Sequence, residues 1–405
     1  MPVFSPVSKG SFLTRERLRD VPAPPEGDGP ALSLGIAVCE RGGYPPFAEA
    51  AFIRRLVAAG PKHGLRVFAF APWTLDEEQG TVFAWSSRGA EWRRETLPAP
   101  SLVYDRAWPG DARERRLYRE GLRQLLRSRP KVRLMNGRLP GKLDVYRSLR
   151  QESRLAGLLP PTKPYEGTIA LRDWLAEHHG AAFLKPSHGS KGRRVIAVAR
   201  HAEEPEMLRI QGRNAANVPF HLARIPEEEA FSRIDKAIGS RAYLMQPMLD
   251  LRGTSGEPFD IRALMQRNGS GRWAVAGIAA RCGRAHSVTA NLHGGGKARR
   301  AKDYLTVLFG REQADRLHEE LIEASGDVID CLESKYGRFS ELGLDFGIER
   351  SGRLWFLEAN TKPGRASMAC AGESAAADAV DRPLAYARYI LLRPPGRVFH
   401  EFDPM

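Results

Sequence analysis

The residue types best suited to chemistry occur near the C-terminus, in a stretch that alternates like a β-hairpin. Residues 342–349 and 353–358 alternate apolar with small or polar side chains, and Ser351 and Gly352 stand between the two runs. Alternation with period 2 on both sides of such a pair is typical of two strands joined by a tight turn. The stretch is therefore predicted to be a hairpin.

Two acidic side chains are expected to face each other across this hairpin. Pairing of Arg350 with Arg353 beside the turn would fix the register. Asp345 then lies opposite Glu358, and Asn360 points to the same face as Glu358 because side chains alternate. Like charges in this position repel, so the hairpin is expected to be weak without a cation. Carboxylate and amide oxygens are ligands for Mg²⁺, and a polar face turned to solvent is the alternative.

A lysine inside a predicted strand stands beside a glycine-rich loop. Residues 182–186 form a short strand around Lys185, the loop from His188 to Gly192 follows, and 194–198 is a second strand. Such a loop presents backbone N–H groups and can close over phosphates. The Walker A spacing is absent, and an ordinary hairpin turn is the alternative. An ammonium inside a strand needs an anion to justify its desolvation, which favours the phosphate-binding interpretation.

Composition bounds the class of protein. The 405 residues are enough for two or more subdomains, and a net charge of +14 favours anionic partners. Arg residues are scattered and no block of five basic residues occurs, so nucleic acid is not an expected partner. The four widely spaced cysteines exclude a zinc motif and are expected to be reduced thiols. With no apolar leader and no run near the ~18 residues of a membrane span, the protein is predicted to be soluble and cytoplasmic.

The elements that would position these residues begin after residues 1–30, which are predicted to be a flexible leader. Apolar runs at 32–38, 65–70 and 102–105, with a helix at 47–59, indicate an open α/β sheet without a dinucleotide fingerprint. Asp105 and Arg106 follow the third run, where they could line a crevice or form a solvated strand end.

Further helices and strands are predicted from apolar periodicity. One helix, 168–178, is expected to be capped by Thr168. The other predicted helices are 113–127, 142–155, 313–335 and 383–392. The other predicted strands are 81–85 paired with 91–97, 243–249, and 259–266 paired with 273–280.

Taken together, these segments resemble the ATP-grasp superfamily, and within it the YheC/YheD type, the endospore coat-associated ATP-grasp proteins. The resemblance extends over most of residues 31–392. Its carriers, in chain order, are Phe-Leu-Lys185-Pro, Gly189-Ser-Lys-Gly192, Gln246, Phe-Asp260-Ile-Arg262, Ala-Arg281, Thr-Ala-Asn291, Leu-Asp345-Phe-Gly and Leu-Glu358-Ala-Asn360.

The resemblance implies an α/β and α+β architecture. An N-terminal α/β pre-ATP-grasp domain would span 31–135 and the ATP-grasp domain 136–395. Within the latter, a lid subdomain would cover about 162–245 and a C-terminal subdomain about 246–395.

The resemblance also implies a site for ATP. Lys185 would hold the α/β-phosphates while loop 188–193 closes as a lid, the segment from Gln246 would present backbone to the adenine, and Asp250 could take the ribose. The full set of implied nucleotide contacts is Lys142, Lys185, His188, Gly189, Ser190, Lys191, Gly192, Gln246, Pro247, Met248 and Asp250.

A Mg²⁺ site and a substrate side are implied beside the nucleotide. The implied metal ligands are Asp345, Glu358 and Asn360, with one or two ions left open because no second acidic residue stands beside Glu358. Arg281 would stabilise the γ-phosphate during transfer. The implied substrate-side residues are Asp260, Arg262 and Asn291.

The implied activity is ATP- and Mg²⁺-dependent ligation of a carboxylate to an amine through an acyl phosphate. The substrates would be small molecules or peptides, and the implied location includes the spore. Two alternatives stay open: a kinase on the same scaffold, and a spore-envelope structural protein whose nucleotide site is vestigial or regulatory. Neither the substrates nor the oligomeric state follow from the residues.

Overall fold

The computed structural model describes residues 32–393 apart from 90, 190, 191, 286 and 291–294, and these contain three β-sheets. The chain divides into two units. Of the described residues, unit 1 holds 32–135, 266–275 and 380–393, and unit 2 holds 136–265 and 276–379. The predicted leader lies outside the described residues. Within the described part, no helix has both the length and the apolar character needed to cross a membrane.

Sheet 1, in unit 1, is an open and largely parallel sheet. Its strands are β1 (Ser33–Ala37), β2 (Arg66–Phe70), β3 (Thr81–Arg88), β4 (Glu91–Pro98), β5 (Leu102–Asp105) and β6 (Arg133–Leu134). Their order is β4-β3-β2-β1-β5-β6. The strands β2, β1, β5 and β6 run parallel, and β3 and β4 form an antiparallel hairpin at one edge. The predicted α/β sheet is confirmed.

Both faces of sheet 1 are covered, because successive strand residues point to opposite sides. Leu34 and Ile36 pack in a core with helix α1 (Ala50–Ala59). Phe70 packs in a second core with helix α2 (Ala112–Ser128). Two-sided burial explains the near-continuous apolar runs in the sequence of these strands.

The carboxyl end of β5 leads into a buried ion pair. The side chain of Arg106 is fully buried and its Nε donates to Glu49 Oε2 at 2.9 Å. Asp105 Oδ1 accepts a hydrogen bond from the amide of Ala107 at 3.1 Å. A solvated strand end is therefore wrong for Arg106.

Sheet 2, in unit 2, carries the glycine-rich loop. Its strands are β7 (Lys163–Pro164), β8 (Ala181–Pro186), β9 (Ile196–Arg200), β10 (Met207–Arg213), β11 (Pro219–Pro226) and β12 (Tyr243–Gln246), in the order β11-β10-β9-β8-β12-β7. Helices α5 (Thr168–Glu177) and α6 (Glu227–Ile238) pack their apolar sides on this sheet. The strands β10 and β11 and helix α6 were not predicted from the sequence.

The predicted cap of α5 is wrong. The residue at the N-cap is Gly167, with φ of +105°, and no side chain caps the helix. Thr168 is instead the first helical residue. Glycine adopts this backbone conformation without the steric cost of a Cβ.

Sheet 3 carries the predicted hairpin. Its strands are β13 (Phe259–Arg267), β14 (Trp273–Cys282), β15 (Lys297–Arg300), β16 (Glu341–Ile348) and β17 (Leu354–Asn360), in the order β15-β14-β13-β16-β17. The remaining helices are α3 (Lys142–Arg150), α4 (Ser153–Ala156), α7 (Ala301–Phe309), α8 (Arg311–Tyr336) and α9 (Glu373–Leu391). The predicted helix at 142–155 is thus two helices. All eight residues of β16 are buried, so this strand lies at the core of unit 2.

The turn between β16 and β17 differs from the prediction. The amide of Glu349 donates to the carbonyl of Arg353 at 3.0 Å, which leaves the loop 350–352 between them. Gly352 has φ of +87°, as expected for the left-handed position of such a three-residue loop. The predicted pairing of Arg350 with Arg353 is therefore wrong.

A β-bulge nevertheless gives the predicted partners at the far end of the hairpin. Phe346 pairs with Phe356, the register then shifts, and Asp345 pairs with Glu358. Leu357 is the additional residue on β17 at this shift. A bulge inserts one residue and re-aims the side chains beyond it, so the two carboxylate residues come to face each other.

Candidate active site

The two facing carboxylates of the hairpin lie at the centre of a charged cluster in unit 2. Asp345 on β16 is 3% exposed and Glu358 is its partner on β17. Asn360 Nδ2 donates to Glu358 Oε1 at 3.0 Å, so the amide and the carboxylate share one face as predicted from the alternation.

Lys142 neutralises Glu358. Its Nζ lies 2.8 Å from Glu358 Oε2, and its amide donates to the carbonyl of Ser187 at 3.2 Å, which ties the start of α3 to the end of β8. Burial alone would raise the pKa of Glu358, but Lys142, the hydrogen bond from Asn360 and Lys185 outweigh it and hold this pKa well below its usual range. In this structure the expected repulsion between the facing carboxylates is offset, because a lysine balances the charge of one of them.

Lys185 approaches the same strand from β8. Its Nζ donates to the carbonyl of Leu357, the bulge residue, at 3.4 Å. Burial and the nearby charge of Lys142 lower the pKa of Lys185 to about 8, although Glu358 and Asp345 act in the opposite direction. Lys185 is half-buried beside the glycine-rich loop, and an anion bound there would favour its charged form.

Two arginines from neighbouring strands hold Asp345. Arg262 on β13 makes a bidentate pair with Asp345, with Nη2 at 2.8 Å from Oδ2. Arg281 on β14 pairs with Asp260 at 2.5 and 2.8 Å, and its Nη2 is also 3.0 Å from Asp345 Oδ2. Burial lowers the pKa of Arg281, but the carboxylates of Asp260 and Asp345 outweigh this and raise it. Arg281 is thus a permanently charged group in a fixed orientation.

The net charge of the cluster favours an anionic ligand. Its basic side chains are Lys142, Lys185, Arg262 and Arg281, and its acidic side chains are Asp260, Asp345 and Glu358. The basic groups outnumber the acidic groups by one. The two lysines, Lys142 at the start of α3 and Lys185 on β8, lie next to the glycine-rich loop in the chain or through the contact of Lys142 with Ser187.

Both glycines of the glycine-rich loop have a positive φ. Gly189 and Gly192 have φ of +151° and +61°, conformations that favour glycine. The ring of His188 lies against Gly141, directly before Lys142, where an added Cβ would be 3.0 Å from Nε2. Ser190 and Lys191 lie outside the described residues.

The predicted adenine-side residues follow β12, the neighbour of β8. Gln246 is buried and its Nε2 donates to Thr162 Oγ1 at 2.8 Å, so its side chain supports the structure. Pro247 and Met248 follow, partly exposed, and their backbone leads away from the strand end. Asp250 is exposed and lies 3.6 Å from Arg350 at the hairpin turn. Asn291 lies outside the described residues.

Residues that support the hairpin were missed. Asn136 Nδ2 donates to the carbonyls of Glu341 (3.3 Å) and Thr361 (2.7 Å), and its Oδ1 accepts from the amide of Ser340 (2.8 Å). The side chain of Glu341 is itself paired with Arg365. These contacts join the start of β16 to the end of β17. The sequence feature that could have indicated Asn136 is its place as a polar residue two positions after the end of β6.

The hairpin side chains include the ligand atoms that a hard divalent cation prefers. Asp345, Glu358 and Asn360 can each offer a side-chain oxygen, which suits Mg²⁺. They provide two carboxylates, and the described residues hold no cluster of three or more His, Cys, Asp or Glu side chains arranged for a metal. Glu358 Oε2 is engaged by Lys142, so this oxygen is open to a metal ion only if the ammonium moves away.

The sheets and the cluster together define the ATP-grasp class of fold. The structure is similar to that of D-cycloserine synthetase DcsG, with a TM-score of 0.51 and 14% identity over 89% of this chain and 100% of that chain. Residues 131–390 match the family described as YheC/D like ATP-grasp. The chain belongs to the YheC/D-like ATP-grasp family, which confirms the predicted resemblance and fold class.

Two curated relatives come from Bacillus subtilis (strain 168). The endospore coat-associated protein YheC is 28% identical over 329 residues, covering 79% of this chain and 86% of that protein. The endospore coat-associated protein YheD is 26% identical over 322 residues, covering 79% of this chain and 69% of that protein.

Proposed function

We propose that the protein is an ATP- and Mg²⁺-dependent carboxylate–amine ligase that forms an amide through an acyl phosphate. The observation that carries the proposal is the convergence of Lys142, Lys185 and Arg281 on the facing pair of Asp345 and Glu358. A site of this kind combines cations for phosphates with oxygens for a metal. Membership of the ATP-grasp family supports ATP as the ligand.

The nucleotide would bind along the neighbouring strands β8 and β12. Lys185 and Lys142 would contact the phosphates, and the loop that contains Gly189 and Gly192 would close over them. The backbone at 246–248 would face the adenine, and Asp250 would reach the ribose.

The hairpin would hold Mg²⁺ through Asp345, Glu358 and Asn360. Bound there, the ion would offset negative charge on the phosphates. For this to happen Lys142 must leave Glu358 Oε2, and the phosphates offer its ammonium a new anionic partner. Arg262 would keep Asp345 oriented meanwhile, through its bidentate pair.

The chain itself would contribute positioning and charge. The substrate carboxylate attacks the γ-phosphorus, the bond to the β-phosphate oxygen breaks, and ADP leaves. Arg281, oriented by Asp260, would lie where negative charge develops on the transferring group. An amine then attacks the acyl carbon, and phosphate leaves as the amide forms. Arg262 and Asn291 would line the substrate side.

A second candidate is a nucleotide-regulated spore-envelope protein. It is favoured by the names of the two Bacillus subtilis relatives, both described as endospore coat-associated. A kinase that phosphorylates a hydroxyl is the third candidate on the same scaffold.

An ADP-release screen over carboxylic acids and amines, with mass spectrometry of the products, separates these candidates. The ligase predicts ADP release that needs both partners, and a product with the summed mass less one water. Lys185→Met is expected to abolish it. A stable phosphorylated product would favour the kinase, and MgATP binding without ADP release would favour the regulatory protein.

A further inference from the structure

Arg213 differs from the other deeply placed arginines of this chain. It ends strand β10, is 4% exposed, and forms no ion pair with any Asp or Glu of the described residues. The other two buried arginines of the described part, Arg106 and Arg262, each meet a carboxylate, and so do the half-buried Arg281 and Arg365. These pairs are Arg106–Glu49, Arg262–Asp345, Arg281–Asp260 and Arg365–Glu341. A buried charge without a counter-ion is costly, so the exception at Arg213 calls for an explanation.

The polar atoms around Arg213 are only partly satisfied. Its Nη1 donates to the carbonyl of Asn217 at 3.0 Å and its Nη2 to Ser287 Oγ at 3.1 Å, but its buried Nε has no acceptor among the described residues. Thr289 Oγ1 is also buried without a partner there. Ser287 connects the two, because its Oγ donates to the carbonyl of Thr289 at 3.2 Å. Buried polar groups are as a rule hydrogen-bonded, and a ligand that accepts from Arg213 Nε and Thr289 Oγ1 would complete the bonds of both.

This group lies beside two segments of the candidate active site. The amide of Arg213 donates to the carbonyl of Val195 at 2.9 Å, three residues after Gly192 of the glycine-rich loop. Ser287 and Thr289 belong to the segment that follows Arg281 and β14. The guanidinium therefore joins the base of the loop proposed for phosphates to the segment proposed for the substrate.

We propose that Arg213, Ser287 and Thr289 form a binding site for a carboxylate group of the acyl substrate. The Nε–H of Arg213 and the hydroxyl of Thr289 can each donate to an oxygen of a carboxylate, and the charge of the guanidinium strengthens such a bond. Lys142, Lys185 and Arg281 already supply cations for nucleotide phosphates, which leaves Arg213 for the second anion. The substrate class is thus an organic acid. This inference rests on the proposed ligase function.

The test compares thermal unfolding of the full chain in sodium succinate, inorganic phosphate and sodium chloride at equal ionic strength. Succinate is expected to raise the Tm of the parent saturably, since it binds the native state. Arg213→Met is expected to lose this rise. The matched control is Arg209→Met, which removes an exposed arginine from the same strand and should respond as the parent does.

Three results would overturn the inference: no response of the parent to succinate, an equal response in Arg213→Met, or a response that depends on Arg213 with phosphate alone. The last would assign the guanidinium to a nucleotide phosphate. If Arg213→Met does not fold, the same measurement is made on Thr289→Val, in which a methyl group replaces the hydroxyl. Its succinate shift should be smaller than that of the parent, and an unchanged shift would contradict the inference.

A parallel MgATP titration separates this inference from the proposed function. Arg213→Met should keep the rise in Tm that MgATP gives the parent, whereas Lys185→Met should lose it. If MgATP leaves the Tm of the parent unchanged, the proposed function fails, and the succinate comparison still decides whether the carboxylate site exists.

Discussion

At the scale of single residues, Lys185 is the group whose charge state matters most. Burial in β8 and the neighbouring Lys142 lower its pKa to about 8, so the ammonium is only partly charged in mildly alkaline solution. A phosphate bound beside it would favour the protonated form. Nucleotide binding is then linked to uptake of a proton.

This linkage predicts how ATP affinity depends on pH. Above about pH 8 the free protein loses the Lys185 proton, so affinity for MgATP should fall as pH rises, and binding at pH 8.5 should take up protons. Calorimetry in two buffers of different ionisation enthalpy measures that uptake. Lys185→Met should bind weakly at every pH, and Lys185→Arg, which stays charged, should show no uptake from this position. Equal uptake in Lys185→Arg and the parent would contradict the assignment.

The ion-pair partners at the site could not be predicted from the sequence. Alternation places Asp260 and Arg262 on one face of β13, as expected. Their partners, however, follow from strand order: β13 lies between β14 and β16, so Asp260 meets Arg281 on one side and Arg262 meets Asp345 on the other. The order of strands is a property of the tertiary fold.

At the scale of elements, the hairpin was only partly predictable from its sequence pattern. Alternation in the sequence predicts both strands and the facing of Asp345 and Glu358. The bulge at Leu357 could not be predicted, because it depends on local twist and on Lys185, which contacts the bulged carbonyl. The predicted register was wrong by one residue at the turn, and the bulge, which was not predicted, shifts the register back by one residue. Asp345 and Glu358 therefore face each other as predicted.

The missed strand β11 has a physical explanation. It begins and ends with proline, Pro219 and Pro226, and proline lacks the N–H that a sheet ladder needs. The strand is tolerated because it lies at the edge of sheet 2, with β10 on one side only. The edge position of a strand is not visible in the sequence, and no strand was predicted here.

The glycine-rich loop gives a prediction at this scale. In Gly189→Val/Gly192→Val, each valine would have to adopt a positive φ at a cost of about 1–2 kcal/mol, and its side chain would obstruct phosphates. Turnover should fall by about tenfold or more, since closure over the nucleotide orients the reacting groups. Steady-state ADP release measures this. Gly157→Val, at a glycine with open space around it and outside the site, is the control and should keep the parent rate. Wild-type turnover in the double variant would show that the loop does not cover the phosphates.

At the scale of the whole molecule, charge and fold class were predictable and the division into units was less so. The net charge of +14 agrees with a site in which basic groups outnumber acidic ones. Residues 266–275 and 380–393 belong to unit 1, although they are far from residues 32–135 in sequence. Leu384 and Ile390 of α9 join the core of Leu34 and Ile36, and membership of a core is decided by packing rather than by chain order.

The central claim is that the hairpin is part of a site for Mg²⁺ and ATP, and replacing Glu358 tests this claim most directly. Without nucleotide, Glu358→Gln should lower the Tm at pH 7, because Lys142 loses its anionic partner. A carboxyl with a lowered pKa stabilises the native state above its unfolded pKa, and this contribution is lost as pH falls. The difference in Tm between variant and parent should therefore shrink on acidification.

The most direct measurement is the Mg²⁺-dependent part of the thermal shift that ATP produces, taken as the difference between MgATP and ATP with chelator. The parent should show a clear rise in Tm with Mg²⁺, and Glu358→Gln should lose most of it. Glu349→Gln, which removes one charge from the same hairpin near its turn, should behave as the parent does. An equal Mg²⁺-dependent shift in the parent and Glu358→Gln, or none in the parent, would contradict the account.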